Sequence, residues 1–566
     1  MKIDRRRALA LLGVGAASPA AAQPNSERAV AFRHGVASGD PLQDRVVIWT
    51  RFSPDRAGAP LEYTWIVRPL DGRGSERRGR GVTGPERDYT AKVDVTGLQP
   101  GRAYGYQFAA GGISSPVGRT RTLPVGPTPD VVLAVASCTL YPNGYFNAYR
   151  AIADLPRVDA VLHLGDYIYE YGGPGSYGMD SPVASERPHD PPREIVSLDD
   201  YRRRHAQYKS DPDLQAAHAR APWIVAWDDH ETANNSWEHG AENHTPRTEG
   251  DWEGRKAAAL KAYYEWMPIR EPRPRQSLIE ASERAFHFGD LASLIMIETR
   301  IGARDLQLEY EKDMPEVNGQ PDVAGFRAKL NDPRRRMMSA RQEVWVADEL
   351  SRSVRAGHAW QVIGNQVVMG RVLPFGYADL TPGEQAGLTE RAKRRLQQRD
   401  PLAKLKLPVA LDMWDGYPVD RERLYGLFRR AGARPVVLSG DSHSFWANEL
   451  FDDAGRRVAC EFGTTGITSP GAGELAPGVD TGTLVARINN EVLYNNQVDK
   501  GFVLLTLTRG AARADMIATP IETRQFRART VKSFRVTPQG AGVSPTLDLT
   551  AARAPAAGQR RRRRRR

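Results

Sequence analysis

Five short apolar runs in this chain each stop at a residue able to bind a metal or carry a proton. Val131–Ser137 (VVLAVAS) ends at Cys138, and DAVLHLGDYIYE, Asp159–Glu170, turns at Gly165 into Asp166, with Tyr169 three residues on. Trp223–Trp227 (WIVAW) runs into Asp228, Asp229, His230 and Glu231, then Asn234 and Asn235. Trp360–Gly364 (WQVIG) meets Asn365 and Gln366, and Pro435–Gly440 (PVVLSG) meets Asp441 and His443. Apolar runs of this length bounded by turn residues read as buried strands. Open α/β sheets place their ligands beyond the carboxyl ends of such strands. Any one tip is explained by a turn, a cap, a core thiol or a hydrogen-bonded histidine. Five that deliver thiol, carboxylate, phenol, amide and imidazole point to a common edge, provided the strands share a sheet, where the residues can hold two adjacent metal ions.

Donor chemistry divides the residues. Thiolate, carboxylate, phenolate and imidazole together suit a trivalent iron, which makes Cys138, Asp166, Tyr169 and His443 a first site. The oxygen donors Asp229, Asn365 and Asp441 suit calcium or another hard divalent ion, and Asp166 can bridge the two. Gln366 can take the place of Asn365, and Asn234 or Asn235 can contact metal or phosphate. His230 is left as the proton donor to a leaving oxygen. His163, inside its strand, reads as a hydrogen-bonded core residue. Arg157, Arg300 and Arg304 are candidates for binding phosphate, and Ser442 and Ser444 flank the site without a base beside them in sequence.

The elements that must carry these residues fall into two kinds. Residues 32–124 alternate in the manner of strands, with Gly97, Pro100 and Gly101 ahead of Tyr104, Tyr106 and Phe108. That pattern is similar to the tyrosine-bearing strand of fibronectin-type sandwiches and predicts a small all-β sandwich. After a Pro/Gly-bearing linker, Thr122–Pro129, apolar runs alternate with helical segments near Tyr145–Leu155, Leu198–His218 and Arg255–Trp266, the signature of a layered α/β domain over residues 130–537. Ile301–Arg336 and Gly376–Lys406 read as polar insertions.

At 566 residues the chain is too long for one simple core. Its formal charge of +11 resembles that of a nucleic-acid binder until it is located: residues 1–22 carry +3 and Arg560–Arg566 carry +7, which leaves a body of about +1 and predicts no specific nucleic-acid partner. Arg5–Arg7, the apolar run Ala8–Ala17 and Ala20–Ala22 read as an export segment over residues 1–22, similar to a twin-arginine signal and implying the twin-arginine export machinery as a partner. Residues 538–566 read as a disordered basic tail. The apolar part of the leader is too short to anchor in a bilayer, so no transmembrane anchor is expected after cleavage, and a periplasmic or extracellular location is. Two cysteines, Cys138 and Cys460, exclude a disulfide-rich scaffold. A single Cys138–Cys460 bridge competes with Cys138 as a metal ligand, and its place at a strand tip favours the ligand.

GDYIYE, WDDHETANNSW, VIGNQVVMG, MWDGYP (413–418) and LSGDSHSFW (438–446) resemble, in this order, the PhoD-type alkaline phosphatases, a branch of the calcineurin-like metallophosphoesterases. The resemblance covers Phe32 to the strand near Phe502. It implies a β-sandwich followed by a four-layer αββα metallophosphoesterase domain, Fe3+ with Ca2+, and hydrolysis of phosphate monoesters and diesters. The superfamily's GDXXY is matched by Gly165–Tyr169. Its GNHE becomes DDHE at Asp228–Glu231, which maps the second-metal amide onto Asp229 and the catalytic histidine onto His230. Its closing GHXH becomes GDSH, with Asp441 in place of one histidine and His443 kept. The expected reaction is in-line attack on phosphorus by a metal-activated hydroxide, with His230 protonating the leaving group and no covalent intermediate. Two alternatives stand beside it: a phospholipase D-like phosphodiesterase acting on lipid or polymer diesters, and a non-catalytic cell-envelope binding protein.

Overall fold

In the computed structural model, residues 30–537 are described except 174, 180, 434 and 476–478, together with the strand Thr546–Leu549. The expected leader at 1–22 lies outside the described residues, and of the tail expected to be disordered over 538–566 the described part, Thr546–Leu549, is instead a strand paired with Arg529–Thr537. Three of the apolar runs become the strands Asp130–Ala136, Ala160–His163 and Trp223–Val225, paired in parallel with Leu133 opposite Ala160 and Val161 opposite Trp223. Continuous Val/Leu/Ile runs are what a parallel strand buried on both faces requires. Gly501–Thr508 pairs antiparallel with Asp130–Ala136 and leads into Ala511–Ala518, Arg529–Thr537 and Thr546–Leu549, so that the sheet has ten strands in all.

On its other side this sheet continues into the N-terminal all-β region. Val36–Gly39 joins through the pairing of Gly39 with Trp223, followed by Arg45–Arg51 and Thr90–Thr96. A five-stranded sheet built on Leu61–Pro69, Arg77–Thr83 and Ala103–Ala110 faces these strands. Val46, Ile48, Phe52, Tyr63, Tyr106 and Phe108 fill the space between. The hydrogen-bond ladder therefore crosses from the β-rich region into the α/β region.

The other two runs, Trp360–Gly364 and Pro435–Ser439, belong to a separate seven-stranded sheet, in which Ala292–Met296, Trp360–Gly364, Pro435–Ser439 and Arg457–Gly463 are parallel neighbours. The five tips thus come from two sheets, where a shared sheet had been the condition for their convergence. They still meet, because the sheets pack face to face: Leu133, Val135 and Leu162 share one core with Leu294, Val362 and Leu438. Phe146, Tyr149, Tyr201 and Tyr208 cover the outer face of the first sheet, and Val346, Leu350, Leu424 and Phe428 that of the second. At the site end a bridge joins Ser137 to Gly466, and the Ile467 N–H donates to the Ser137 carbonyl at 3.0 Å.

The segment expected as one helix over Leu198–His218 is two, Leu198–Lys209 and Pro212–Arg220. An interior proline costs a helix a backbone hydrogen bond, whereas a proline in the first turn does not, and Asp211 caps the second helix by accepting from the Asp213 and Leu214 N–H groups. The Gly376–Lys406 insertion forms the helices Pro382–Ala386 and Glu390–Leu405. Among the described residues no helix is long and apolar enough to cross a membrane.

Gly165 is the tightest point of the frame. Its φ is +115°, and a Cβ there would lie 2.4 Å from the Asp228 Cβ and 2.5 Å from the Asp228 nitrogen. Gly165→Ala should lower unfolding free energy by at least ~2 kcal/mol, from backbone strain and overpacking together. Urea unfolding checks this, and an unchanged midpoint would mean that the two tips move apart freely.

Candidate metal centre

The tips turn sharply enough to aim several side chains at one space. Cys138, Asp166, Asp441 and His443 all have left-handed backbones, with φ of 59°, 56°, 59° and 54°. Non-glycine residues adopt this region at a cost of order 1 kcal/mol, and such strain gathers at functional sites. The Cys138 N–H donates to the Gly165 carbonyl at 3.1 Å and the Thr139 N–H to the Asp166 carbonyl at 2.8 Å, locking the first two tips together. Glu231 locks the second to the third: its carboxylate accepts from the backbone N–H groups of Asp166 (3.0 Å), Tyr167 (2.6 Å) and Asp228 (2.7 Å).

Among the described residues three sets of donor atoms result, each lying within 4.8 Å of one another: Cys138, Asp166 and His443; Asp166, Asp229 and His230; and Asp166, Asp228, Asp229 and Asp441. Asp166 belongs to all three. Tyr169 joins the first set, its hydroxyl donating to Asp166 Oδ2 at 3.0 Å, lying 3.2 Å from His443 Nε2 and accepting from Ser469 Oγ at 2.7 Å. His443 Nδ1 sits 2.8 Å from the Pro470 carbonyl, which assigns the ring proton to Nδ1 and leaves Nε2 to face Tyr169. Burial, with help from Lys500, pushes the His443 pKa down to about 3, so the ring is neutral as a ligand must be.

His230 stands next to Asp229 with its Nδ1 2.7 Å from Glu170 Oε2, and its ring packs on Tyr169 and Tyr171 with centroids 4.1 and 5.2 Å away. Burial alone would favour a neutral imidazole, but the carboxylates of Glu170, Asp229 and Asp166 outweigh it and hold the pKa well above the ordinary value. Glu170 is held in turn by the Asn234 N–H and the Asn243 amide, each at 2.8 Å.

Asn365 is fully buried. Its Oδ1 accepts from the Trp414 indole at 3.1 Å, and its amide donates to the Val367 carbonyl. Gln366 is engaged at both ends, by Thr299 at 2.6 Å and the Ile297 carbonyl at 2.9 Å. The Asn234 and Asn235 amides turn to Glu242. Cys138 and Cys460 are both free and buried, so the alternative disulfide is not formed. His163 lies in the core, 2.9 Å from the Tyr149 hydroxyl and stacked on Trp223.

Residues 133–516 match the family model of the PhoD-like phosphatases, and residues 16–124 match the model of the PhoD-like phosphatase N-terminal domain. Alkaline phosphatase D of Bacillus subtilis (strain 168) is 34% identical over 511 residues, covering 87% of this chain and 78% of that protein. A solved structure described as that of PhoD superposes with a TM-score of 0.75 at 30% identity, over 95% of each chain. This chain belongs to the PhoD-like phosphatase family. It is a phosphoester hydrolase, and its substrates are phosphate esters.

Within this PhoD-like site the sequence left one residue underrated. Arg300 is fully buried and donates to Asp228, to both oxygens of Asp412 (2.9 and 2.7 Å) and to Asp441 at 3.2 Å. Arg304 follows it onto Asp412 at 2.5 Å, whereas Arg157 pairs with Asp130 and Asp159 at the opposite ends of the strands. Nothing in the spacing marks Asp412, which merely precedes MWDGYP. Glu170 and Glu231 are visible within GDYIYE and DDHE, but their roles depend on which backbone groups they meet.

The donor set fits bound metal on electrostatic grounds. Two fully buried arginines, Arg300 and Arg304, and His230 face the carboxylates of Asp166, Asp228, Asp229, Asp412 and Asp441, and Asp228 Oδ2 is buried without a hydrogen-bond partner. Burial raises the pKa of Asp228 to about 8 and of Asp441 to about 7 even against the attraction of Arg300. Burial likewise drives up the Cys138 thiol and the Tyr169 phenol. Such groups ionise when a cation takes the place of their protons. Removing the arginine from so many buried acids should be costly. In chelator-treated protein, Arg300→Met is expected to lose about 3–5 kcal/mol of unfolding free energy, read from urea titrations; parental stability in the variant would mean that the folded cluster is already neutral.

Proposed function

We propose that the chain is an exported, metal-dependent phosphoesterase. In this reading Cys138, Asp166, Tyr169 and His443 hold Fe3+, Asp229, Asn365 and Asp441 hold Ca2+, and Asp166 is shared. The observation that carries it is the membership of Asp166 in every one of the donor clusters. When bound, the metal pair supplies the positive charge that polarises the phosphoryl group and lowers the pKa of water. Asn365 contributes through the second lone pair of its Oδ1, the first being taken by Trp414.

The chain's own groups supply the proton and the alignment. Glu170 holds His230 through Nδ1, which leaves Nε2 to give its proton to the departing ester oxygen. Tyr169 and Tyr171 fix the plane of that ring, so its orientation costs nothing at the moment of reaction. Ser442 Oγ accepts from the Trp446 indole at 2.7 Å, and Ser444 Oγ donates to the Ser442 carbonyl at 3.0 Å. Neither hydroxyl meets a base, so direct transfer of phosphoryl to water is favoured over a serine ester.

Turnover of a chromogenic phosphate ester tests this. His230→Ala should lower kcat by 10²–10⁴-fold, and Glu170→Gln by roughly 10- to 100-fold with KM little changed. Activity of His230→Ala equal to the parent would remove the histidine from the reaction. Elemental analysis of protein purified without chelator should find iron near one atom per chain with calcium beside it. Zinc alone, or full activity after chelation, would overturn the assignment of Cys138 and Tyr169.

A further inference from the structure

A second cavity, of about 430 Å³, adjoins the groove at the candidate centre. The groove, about 750 Å³, is walled by Tyr177, Asp441, His443, Ser442 and Ala472, and the last two also wall the second cavity, so the two spaces share one partition. The rest of the second cavity is largely apolar: Val372, Phe375, Leu396, Met413, Trp446 and Val485 line it. Five of these, with Met413 packed at the edge, form a hydrophobic cluster separate from the sheet cores. Leu396 comes from the inserted helix Glu390–Leu405 and Val485 from the helix Thr481–Ile488.

This cluster is built around an opening rather than closed on itself. The walls are pinned: the Trp446 indole donates to Ser442 Oγ at 2.7 Å, the Val372 N–H to Asp415 at 2.8 Å and the Val409 N–H to the Val372 carbonyl at 2.9 Å. Arg395, Gln398 and Arg399 add polar side chains to its lining. A preformed apolar space of this size is what a small-molecule site requires, and Ser442, which lines both spaces, stands in the chain between the candidate ligands Asp441 and His443.

We propose that this cavity is the subsite for the apolar arm of the phosphate ester, a long-chain alkyl or aryl group on the ester oxygen. The inference rests on the phosphoesterase reading of the adjoining centre. The inserted helix Glu390–Leu405 is then a specificity element, since it supplies a wall of the subsite and none of the metal donors.

Phosphate release from methyl, butyl and octyl phosphate, kept below micelle-forming concentrations, tests the proposal. In the parent, kcat/KM should climb with chain length, by up to about fourfold for each methylene that enters the cavity. Val409→Asp, at an exposed wall residue, and Ala410→Trp, which fills the space, should bring the octyl-to-methyl ratio towards one. A series that is flat in the parent while phosphate is still released overturns the subsite and leaves the phosphoesterase reading intact. If no ester is hydrolysed, that reading fails, and calorimetry with methyl- and octylphosphonate decides the cavity: octylphosphonate binding at least tenfold tighter, and weakened by Ala410→Trp, upholds it, whereas equal binding overturns it.

Discussion

The concentration of negative charge around Asp166 is the constraint on which the rest of this structure depends. Buried carboxylates repel one another and lose hydration, so a protein keeps them only where cations or many hydrogen bonds compensate. Here Arg300 answers Asp228, Asp412 and Asp441 from one side, and His230 answers Asp166, Asp229 and Glu170 from the other. Even with Arg304 added on Asp412, these cations do not reach every oxygen, as the unpartnered Asp228 Oδ2 shows. A site that remains acidic after its own cations are placed attracts a further one.

Holding that charge in place explains the stiffness of the surrounding frame. Two sheets deliver the donors, and their separate tips are tied by backbone contacts rather than by side chains alone: Cys138 to Gly165, Thr139 to Asp166 and Ser137 to Ile467. The left-handed conformations of Cys138, Asp166, Asp441 and His443 are unfavourable locally. They persist because strands buried on both faces leave the tips no room to relax, and because Glu231 neutralises three otherwise unpaired N–H groups at the second and third tips. Core packing, strain and electrostatics are therefore a single arrangement, with the hydrophobic contact between sheets opposing the cost of the polar edge.

What could be read in the sequence follows from the range of the interactions involved. The apolar runs and their tips are local, so Cys138, Asp166, His230, Asp441 and His443 were visible from pattern and residue type. The division of the five runs between two sheets was not, because parallel strands in either sheet carry the same continuous apolar pattern. The split at Asp211–Pro212 was legible in principle, since Pro212 marks it. Arg300 had only the standing of a guess: its partners lie 72, 112 and 141 residues away, and no local periodicity records such a meeting. Asp412 and Ser469 were hidden for the same reason, and Glu170 was hidden in plain view within a motif whose aspartate and tyrosine drew attention first.

The insertions show the complementary case. Gly376–Lys406 is polar enough to read as surface, and most of its side chains are. Yet Leu396 and Ala392 are buried on one side of the Glu390–Leu405 helix, and Leu396 meets Trp446, which stands three residues beyond His443, in the same apolar cluster. A segment with few apolar residues can thus shape a cavity, because Leu396 borrows the rest of its lining from Val372, Trp446 and Val485. The proposed metal donors come from strand tips packed by the two sheet cores, whereas the wall beside them comes from a helix anchored by a small cluster of its own. If the cavity is the subsite proposed above, chemistry and selectivity rest on different parts of the chain, and the second can change by surface substitution without disturbing the charge balance around Asp166.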